Sequence, residues 1–334
     1  MKRDGVYPAA GRRIVLAALM VTMAVCGNAG AQTNPAGDFI VESGRNGGSV
    51  TITGYRGAST KVVIAAEYGG VPVRAIGGSA FLDNGKITSV VIPDGVTSVG
   101  DYAFHRCSSL ASITLPDSVT SIGEGAFEGC SSLVSITLPK DLTSVGEAAF
   151  AGCGSLAAIT LPDGLTAVGE AAFLHCSSLA AITLPRGVRS LGEDTFLGCS
   201  SLAAVTLPDG LTSIGEAAFS SCTSLVTITL PDSVTSIGDG AFDDCSSLAA
   251  ITLPKGVRSV GEGAFWGCDS LVSITLPESV AFIGEAAFAG CGNLANVTIA
   301  EGARITFGAD VFGPHSLSAA SRTALKKAGY TGTF

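Results

Sequence analysis

The chain reads as an α/β repeat solenoid, on three observations. Nine cysteines, from Cys107 to Cys291, recur at an interval of 23 residues. A phenylalanine stands three positions before each, and a proline keeps the same beat from Pro93 to Pro277. A fixed period of roughly 20–50 residues marks stacked coils. The length, 334 residues, would otherwise suggest about two or three domains. A solenoid instead grows coil by coil without a new core.

One unit runs from Leu110 to Ser132 (LASITLPDSVTSIGEGAFEGCSS). Ile113-Thr114-Leu115 alternates with the period of a strand. Pro116, with no N–H for a ladder, ends it. Val119 and Ile122 turn inward again, and Gly123 is expected to break the chain by taking a positive φ. Glu124 to Phe127 reads as one helical turn that carries Phe127 and Cys130 on one inward face. Ser131 and Ser132 turn the chain back. No unit is stable alone, because only one side of it is apolar. Stacking gives each inward Leu, Ile, Phe and Cys a neighbour of its own kind. Ten phenylalanines, Phe81 to Phe288, then form a spine, each ring contributing about 1.5–3 kcal/mol on burial. The strands pair in parallel at about 4.8 Å, so ten coils give a sheet of about 45–50 Å.

The pattern CxSLxxITLPxxLTxIGxxAFxxC resembles the BspA-like leucine-rich repeat, also called the TpLRR class. The match runs from about Ala75 to Ile299. The segment Ile52 to Gly57, leading through Val62-Val63-Ile64 to Val73–Gly77, is similar to the leader of such repeats. The resemblance implies a curved, right-handed superhelix. Its parallel sheet would be concave and its short helical turns convex. It also implies an exported or surface protein that binds other proteins, host or matrix components among them, with no catalytic residues and no cofactor.

The expected organisation is a signal peptide over 1–31, a flexible segment over 32–48, a β cap over 49–74, ten coils over 75–299 and a C-terminal cap over 300–334. Leu317 to Ala328 reads as a short amphipathic helix within the last cap. Lys2, Arg3, Arg12 and Arg13 precede a 13-residue apolar run, Ile14 to Cys26, too short to span a bilayer. Ala29-Gly30-Ala31 follows as a cleavage pattern. An uncleaved interfacial segment and lipidation at Cys26 are the alternatives. No other stretch could span a membrane, so the expected location is the periplasm or the outer surface.

Composition narrows the partners. The net charge is -9, and losing 1–31 removes four basic groups and one acid, taking it near -12. That disfavours nucleic acid and anionic lipid. Stacked cysteines point their Cβ vectors the same way at about 4.8 Å or more, beyond disulfide reach. Buried free thiols are the leading reading, ahead of disulfides or metal sites. No CxxC or Cys/His clustering suggests zinc. His105, His175 and His315 read as ordinary surface residues without a fixed catalytic partner. An acidic column runs through Asp101, Glu124, Glu147, Glu170, Glu193, Glu216, Asp239, Glu262 and Glu285. It reads either as favourable charge at helix N-termini or as a carboxylate ladder for calcium.

The outward strand column runs from Thr114 to Thr298, through Thr137, Thr160, Thr183, Thr206, Thr229, Thr252 and Thr275. Ser112, Ala158 and their equivalents lie beside it. This uncharged stripe is the candidate protein-binding face. The simpler reading is that threonine favours strands. Lys140, Arg186, Arg189, Lys255 and Arg258 give one edge mixed charge. Leu174, Leu197, Trp266 and Phe282 are candidate hydrophobic anchors, or else pack locally. The sequence therefore favours a non-enzymatic, protein-binding module. A self-associating periplasmic or envelope scaffold is the alternative.

Overall fold

In the computed structural model, residues 32–44, 46–313 and 317–334 are described. The segment expected to be a signal peptide, Cys26 with its alternative of lipidation, and His315 lie outside them. From Thr33 to Phe334 the chain is one parallel β-solenoid of about eleven turns. Each coil holds two short strands. The first is usually three residues long, as in Ser112–Thr114, Ser135–Thr137 and Ala158–Thr160. The second is two residues long, as in Ser121–Ile122 and Ser144–Val145. Both sets pair in parallel and in register, with Ile136 opposite Ile159 and Ile122 opposite Val145. Ile113 is buried between exposed Ser112 and Thr114, as the pleat requires. Pro116 separates the strands, and its carbonyl accepts the Val119 N–H at 3.1 Å to close a turn.

The second ladder is the more continuous one. It forms an eight-stranded and then a six-stranded sheet, whereas the first strands join in one group of three and four pairs. The single unbroken sheet expected from the sequence is therefore divided. Bonds lengthen at the breaks: Val134 N–H reaches Ala111 O at 3.5 Å, against 3.1 Å for Ala157 to Val134 inside a pair.

The expected helical turns are absent from the coils. In the strip after Gly123, Glu128 and Cys130 donate to Gly125 O and Phe127 O at 3.0 and 3.1 Å, three residues back. The alternate residues Gly125, Phe127 and Gly129 donate across to Glu147, Ala149 and Ala151 of the next coil. Positive φ at Gly125 (52°) and Gly129 (69°) prevents a right-handed helix. The strip is thus a run of tight turns whose alternate amides extend the inter-coil ladder.

Gly123 itself has no positive φ, contrary to expectation. It is small because the coils touch there. A Cβ on Gly123 would meet Asp101, one on Gly146 would lie 2.5 Å from Gly123 C, and one on Gly238 2.6 Å from Gly215 C. The glycine column is therefore a close-approach column, and the positive φ falls two residues later.

The phenylalanine spine forms as the repeat requires. Rings from Phe81 to Phe312 are at most 2% exposed. Centroids are 4.8 Å (Phe81–Phe104) to 5.6 Å (Phe150–Phe173) apart, with planes within 13°. Phe312 is an eleventh ring, inside the segment expected to be only a cap.

Both ends of the stack are closed by aromatics. At the N-terminal end, β1 (Phe39–Ser43) pairs antiparallel with β2 (Val50–Tyr55). Tyr55 lies on Phe81 at 5.5 Å and Phe39 on Tyr55 at 5.2 Å. Part of the segment expected to be flexible is therefore strand, held by Phe39. At the other end Tyr330 meets Phe312 edge-on at 5.4 Å, and Phe334 meets Tyr330. Helix α1 (Ala319–Lys327) covers the last first-strand. Its Ser321 Oγ accepts the Val297 N–H at 2.9 Å, which has no further coil to bond. No helix among the described residues is long and apolar enough to cross a membrane.

Two neighbouring columns of small residues should respond with opposite sign. Ala148, Ala171 and Ala217 hold φ of 50°, 52° and 48°, where an L-residue costs about 1 kcal/mol. Changing each to Gly should raise denaturant stability by up to about 1 kcal/mol, less glycine's entropy cost. A helix would predict a loss of about 1 kcal/mol instead. Gly169→Ala should cost about 1–3 kcal/mol by overpacking. Equilibrium urea unfolding of the single variants reads both signs.

Candidate functional site

The face of the first strands is built from three outward columns. Thr137, Thr160, Thr183, Thr206, Thr229, Thr252 and Thr275 are all exposed. Beside them runs the smaller column of Ser112, Ser135, Ala158 and their equivalents. The third column precedes the strand and is mostly Ala, with Val in three coils. Val134, Val226 and Val272 are 52%, 53% and 49% exposed there. Sequence reading passed over these valines. The available signal was a β-branched residue replacing Ala just outside the alternating triplet. The face carries a shallow depression of about 230 Å³ bordered by Thr227, Thr229, Asp232, Ala250, Thr252 and Pro254.

The four anchors separate. Trp266 and Phe282 are exposed, whereas Leu174 and Leu197 are half-buried in the turn strip. Phe282 sits on a second strand (Phe282–Ile283), Trp266 in a turn strip and Thr275 on a first strand. The structure thus sets Trp266 and Phe282 on strips of the coil other than the threonine face.

The edge just after the prolines carries mostly acids, with Lys140, Arg186 and Lys255 at single coils, each between acidic neighbours such as Asp163 and Asp209 around Arg186. Interspersed cations limit the repulsion that a like-charge ladder would build.

Without helices in the coils, the helix-dipole account of the acidic column fails. The two aspartates in it do something else. Asp101 Oδ1 accepts the Glu124 N–H at 3.0 Å, and Asp239 Oδ1 accepts the Glu262 N–H at 2.8 Å. The glutamates of the column crowd one another, and the charge of Glu216, then that of Asp194, raises the Glu193 carboxyl. Among the described residues no group of three or more His, Cys, Asp or Glu is placed to hold a metal ion. His105 Nδ1 lies 3.1 Å from Glu128 Oε2 and is half-buried. His175 is exposed, at φ 56°.

All nine repeat cysteines are free and buried. Each thiol donates to the carbonyl of a phenylalanine 26 residues earlier, as Cys130 Sγ does to Phe104 O at 3.2 Å and Cys291 Sγ to Phe265 O at 3.1 Å. The thiol therefore serves a carbonyl of the preceding coil in addition to filling space. Burial raises every thiol, those of Cys107, Cys199 and Cys291 from 9.0 to about 12. Protonated, enclosed thiols are poor nucleophiles and poor metal ligands.

These shifts fix a pH dependence. A thiol raised in the folded state favours folding fully below its unfolded pKa of 9.0. That contribution is lost as pH rises toward about 12. The urea midpoint should fall steeply above about pH 9. The slope should flatten in a variant with several repeat cysteines changed to Ala. A midpoint indifferent to alkaline pH would contradict buried thiols.

The comparisons with known proteins agree with this geometry. The family model for the BspA-type leucine-rich repeat region matches residues 74–203 and 189–318. The chain is similar to a leucine-rich repeat protein from Bacteroides ovatus, at 29% identity over 82% of this chain and 90% of that one, with a TM-score of 0.50. It is also similar to the T. pallidum leucine-rich repeat protein TpLRR (27% identity, 91% and 99% covered, TM-score 0.34). A third likeness is to a leucine-rich cell surface protein from Faecalibacterium prausnitzii (25% identity, 88% and 97% covered, TM-score 0.44). No curated protein matches the chain. With the family model matching most of a chain whose coils bury one Leu, Phe and Cys column after another, this protein belongs to the BspA-type leucine-rich-repeat family.

Proposed function

We propose that the protein is an exported, non-catalytic binding module that contacts a protein ligand, host or matrix protein included, through the face of its first strands. The observation that carries this reading is the uncharged outward stripe of threonines beside exposed Val134, Val226 and Val272. A broad surface that is neither charged nor strongly apolar suits protein contact, and its depressions are too shallow for a small-molecule pocket. Backbone and core are satisfied without the hydroxyls of this column, so the column is free to vary with the ligand. Export rests on the basic, apolar and small-residue succession of residues 1–31.

The scaffold alternative needs association through the ends or through exposed apolar groups. Aromatic caps occupy both ends of the spine, which leaves exposed side chains as its only support.

The two readings separate in one experiment. Purified chain is passed over immobilised extracellular-matrix and host-surface proteins, and its mass is followed by sedimentation over a range of concentrations. Saturable binding that drops at least about tenfold in a Thr183→Lys/Thr229→Lys variant of unchanged circular dichroism is expected. Absence of binding together with concentration-dependent oligomers would favour the scaffold.

A further inference from the structure

Among the described coils, the two strand ladders are interrupted together at one junction, between coil 157–179 and coil 180–202. There Ala158–Thr160 does not pair with Ala181–Thr183, and Ala167–Val168 does not pair with Ser190–Leu191. At the other breaks in the first ladder the second runs on. The bonds flanking the second strand are lost as well. Thr166 and Gly169 donate to Thr143 O and Val145 O at 2.9 and 3.0 Å, but the equivalent N–H groups of Arg189 and Gly192 make no such bond to Thr166 or Val168. The backbones stand farther apart. A Cβ on Gly169 would lie 2.5 Å from Glu147 N, whereas one on Gly192 would meet no backbone atom closer than 3.3 Å. Val168, beside the gap, is 8% exposed, against 2% for Val145 and 1% for Ile214.

The turn strip stays closed across the same junction. Ala171, Phe173 and His175 donate to Glu193 O, Thr195 O and Leu197 O at 2.8, 3.0 and 2.7 Å, and Phe173 stacks on Phe196 at 5.5 Å. The sequence departs from its repeat just here. Thr195 is fully buried in the column held by Ala172 and Ala218 in the adjacent coils. Its hydroxyl donates to Gly192 O at 2.9 Å, whereas one coil earlier Gly169 O accepts the Ala172 N–H at 3.3 Å. The added methyl and hydroxyl overfill an alanine-sized slot, and the bond ties Gly192 to its own coil. Arg189 replaces a threonine that in coils on either side bonds back to a carbonyl, as Thr166 and Thr212 do, and its guanidinium lies forward against Gly210.

We propose that this junction is a hinge, at which two stiffer halves, 33–179 and 180–334, pivot on the turn strip and open on the strand side. Stacked coils are held by nearest-neighbour contacts alone, so the stack gives where such contacts are fewest. Opening tilts Thr137 and Thr160 against Thr183 and Thr206 and changes the curvature of the threonine face. The hinge does not depend on a ligand at that face, so either can fail without the other.

The test is native-state hydrogen exchange of the full chain, with homologous segments compared by mass spectrometry. Segment 189–192 should exchange at least about tenfold faster than 166–169 and 235–238. Thr195→Ala should slow 189–192 toward its homologues and leave those two within about twofold of their own rates. A second measurement reads the motion itself. Spin labels on Thr114→Cys/Thr229→Cys span the junction, and labels on Thr183→Cys/Thr298→Cys span the same five coils within one half. The enclosed native thiols leave the introduced ones as the sites of labelling. The first pair should give the broader distance distribution, narrowed by Thr195→Ala. Equal exchange in the three segments, or equal widths for the two pairs, would overturn the hinge. Fast exchange that persists in Thr195→Ala would overturn its assignment to this residue.

Discussion

Every coil depends on one demand, that its inward residues meet identical residues one period away. A phenylalanine ring cannot be covered within its own 23-residue unit, because the unit is one layer thick. It is covered by the ring before and the ring after, near 5.4 Å and nearly parallel. The same translation pairs the strands, aligns the thiols with carbonyls and brings the glycine backbones into contact. Insertion of one residue in one coil would disturb all of these together, which explains why the period holds without exception from Cys107 to Cys291. It also explains why the ends need aromatic plugs: Phe81 and Phe312 each lack a ring on one side.

Much of this was legible in the sequence because periodic burial leaves a periodic trace. The Phe, Cys and Leu columns and the outward Thr column were readable from spacing alone. Three features were not, each for a physical reason. The second strand is two residues long, too short to show alternation. The turn strip carries Phe127 and Cys130 three apart, a spacing shared by a helical turn and by two linked tight turns. What separates them is the sign of φ, and Ala148 or Ala171 gives no hint of a left-handed conformation that glycine would have signalled. Gly123 misled for the complementary reason: a conserved-looking small residue can answer to a neighbouring backbone as well as to a dihedral angle. The stripe of the candidate face was readable, but not its valine column. Nor was the separation of Trp266 and Phe282, which depends on how the coil bends.

The thiols show how a solenoid changes the chemistry of a residue. In an isolated small domain nine cysteines would suggest cross-links. Here each is fixed by a carbonyl of the preceding coil and withdrawn from water, so the column behaves as a small hydrophobe with one directed hydrogen bond. A serine could make that bond, but it would bring a more strongly hydrated group into the core. Alanine would fill part of the space and leave the bond unmade. Cysteine meets both requirements at once.

Stability and recognition are consequently divided between separate columns. The inward columns admit little change, since each residue is locked to two neighbours, and the glycine and turn strips are tied to backbone contacts. The outward columns contribute little to the stack: Thr160 or Trp266 could be exchanged with small effect on the core. Departures from the repeat therefore carry more information about function where they are solvent-facing than where they are buried. Thr195, in the buried column otherwise held by Ala, donates to Gly192 O within its own coil at 2.9 Å and is a packing variant. Trp266, 44% exposed, is a departure of the solvent-facing kind and so the one more open to a contact made outside the chain.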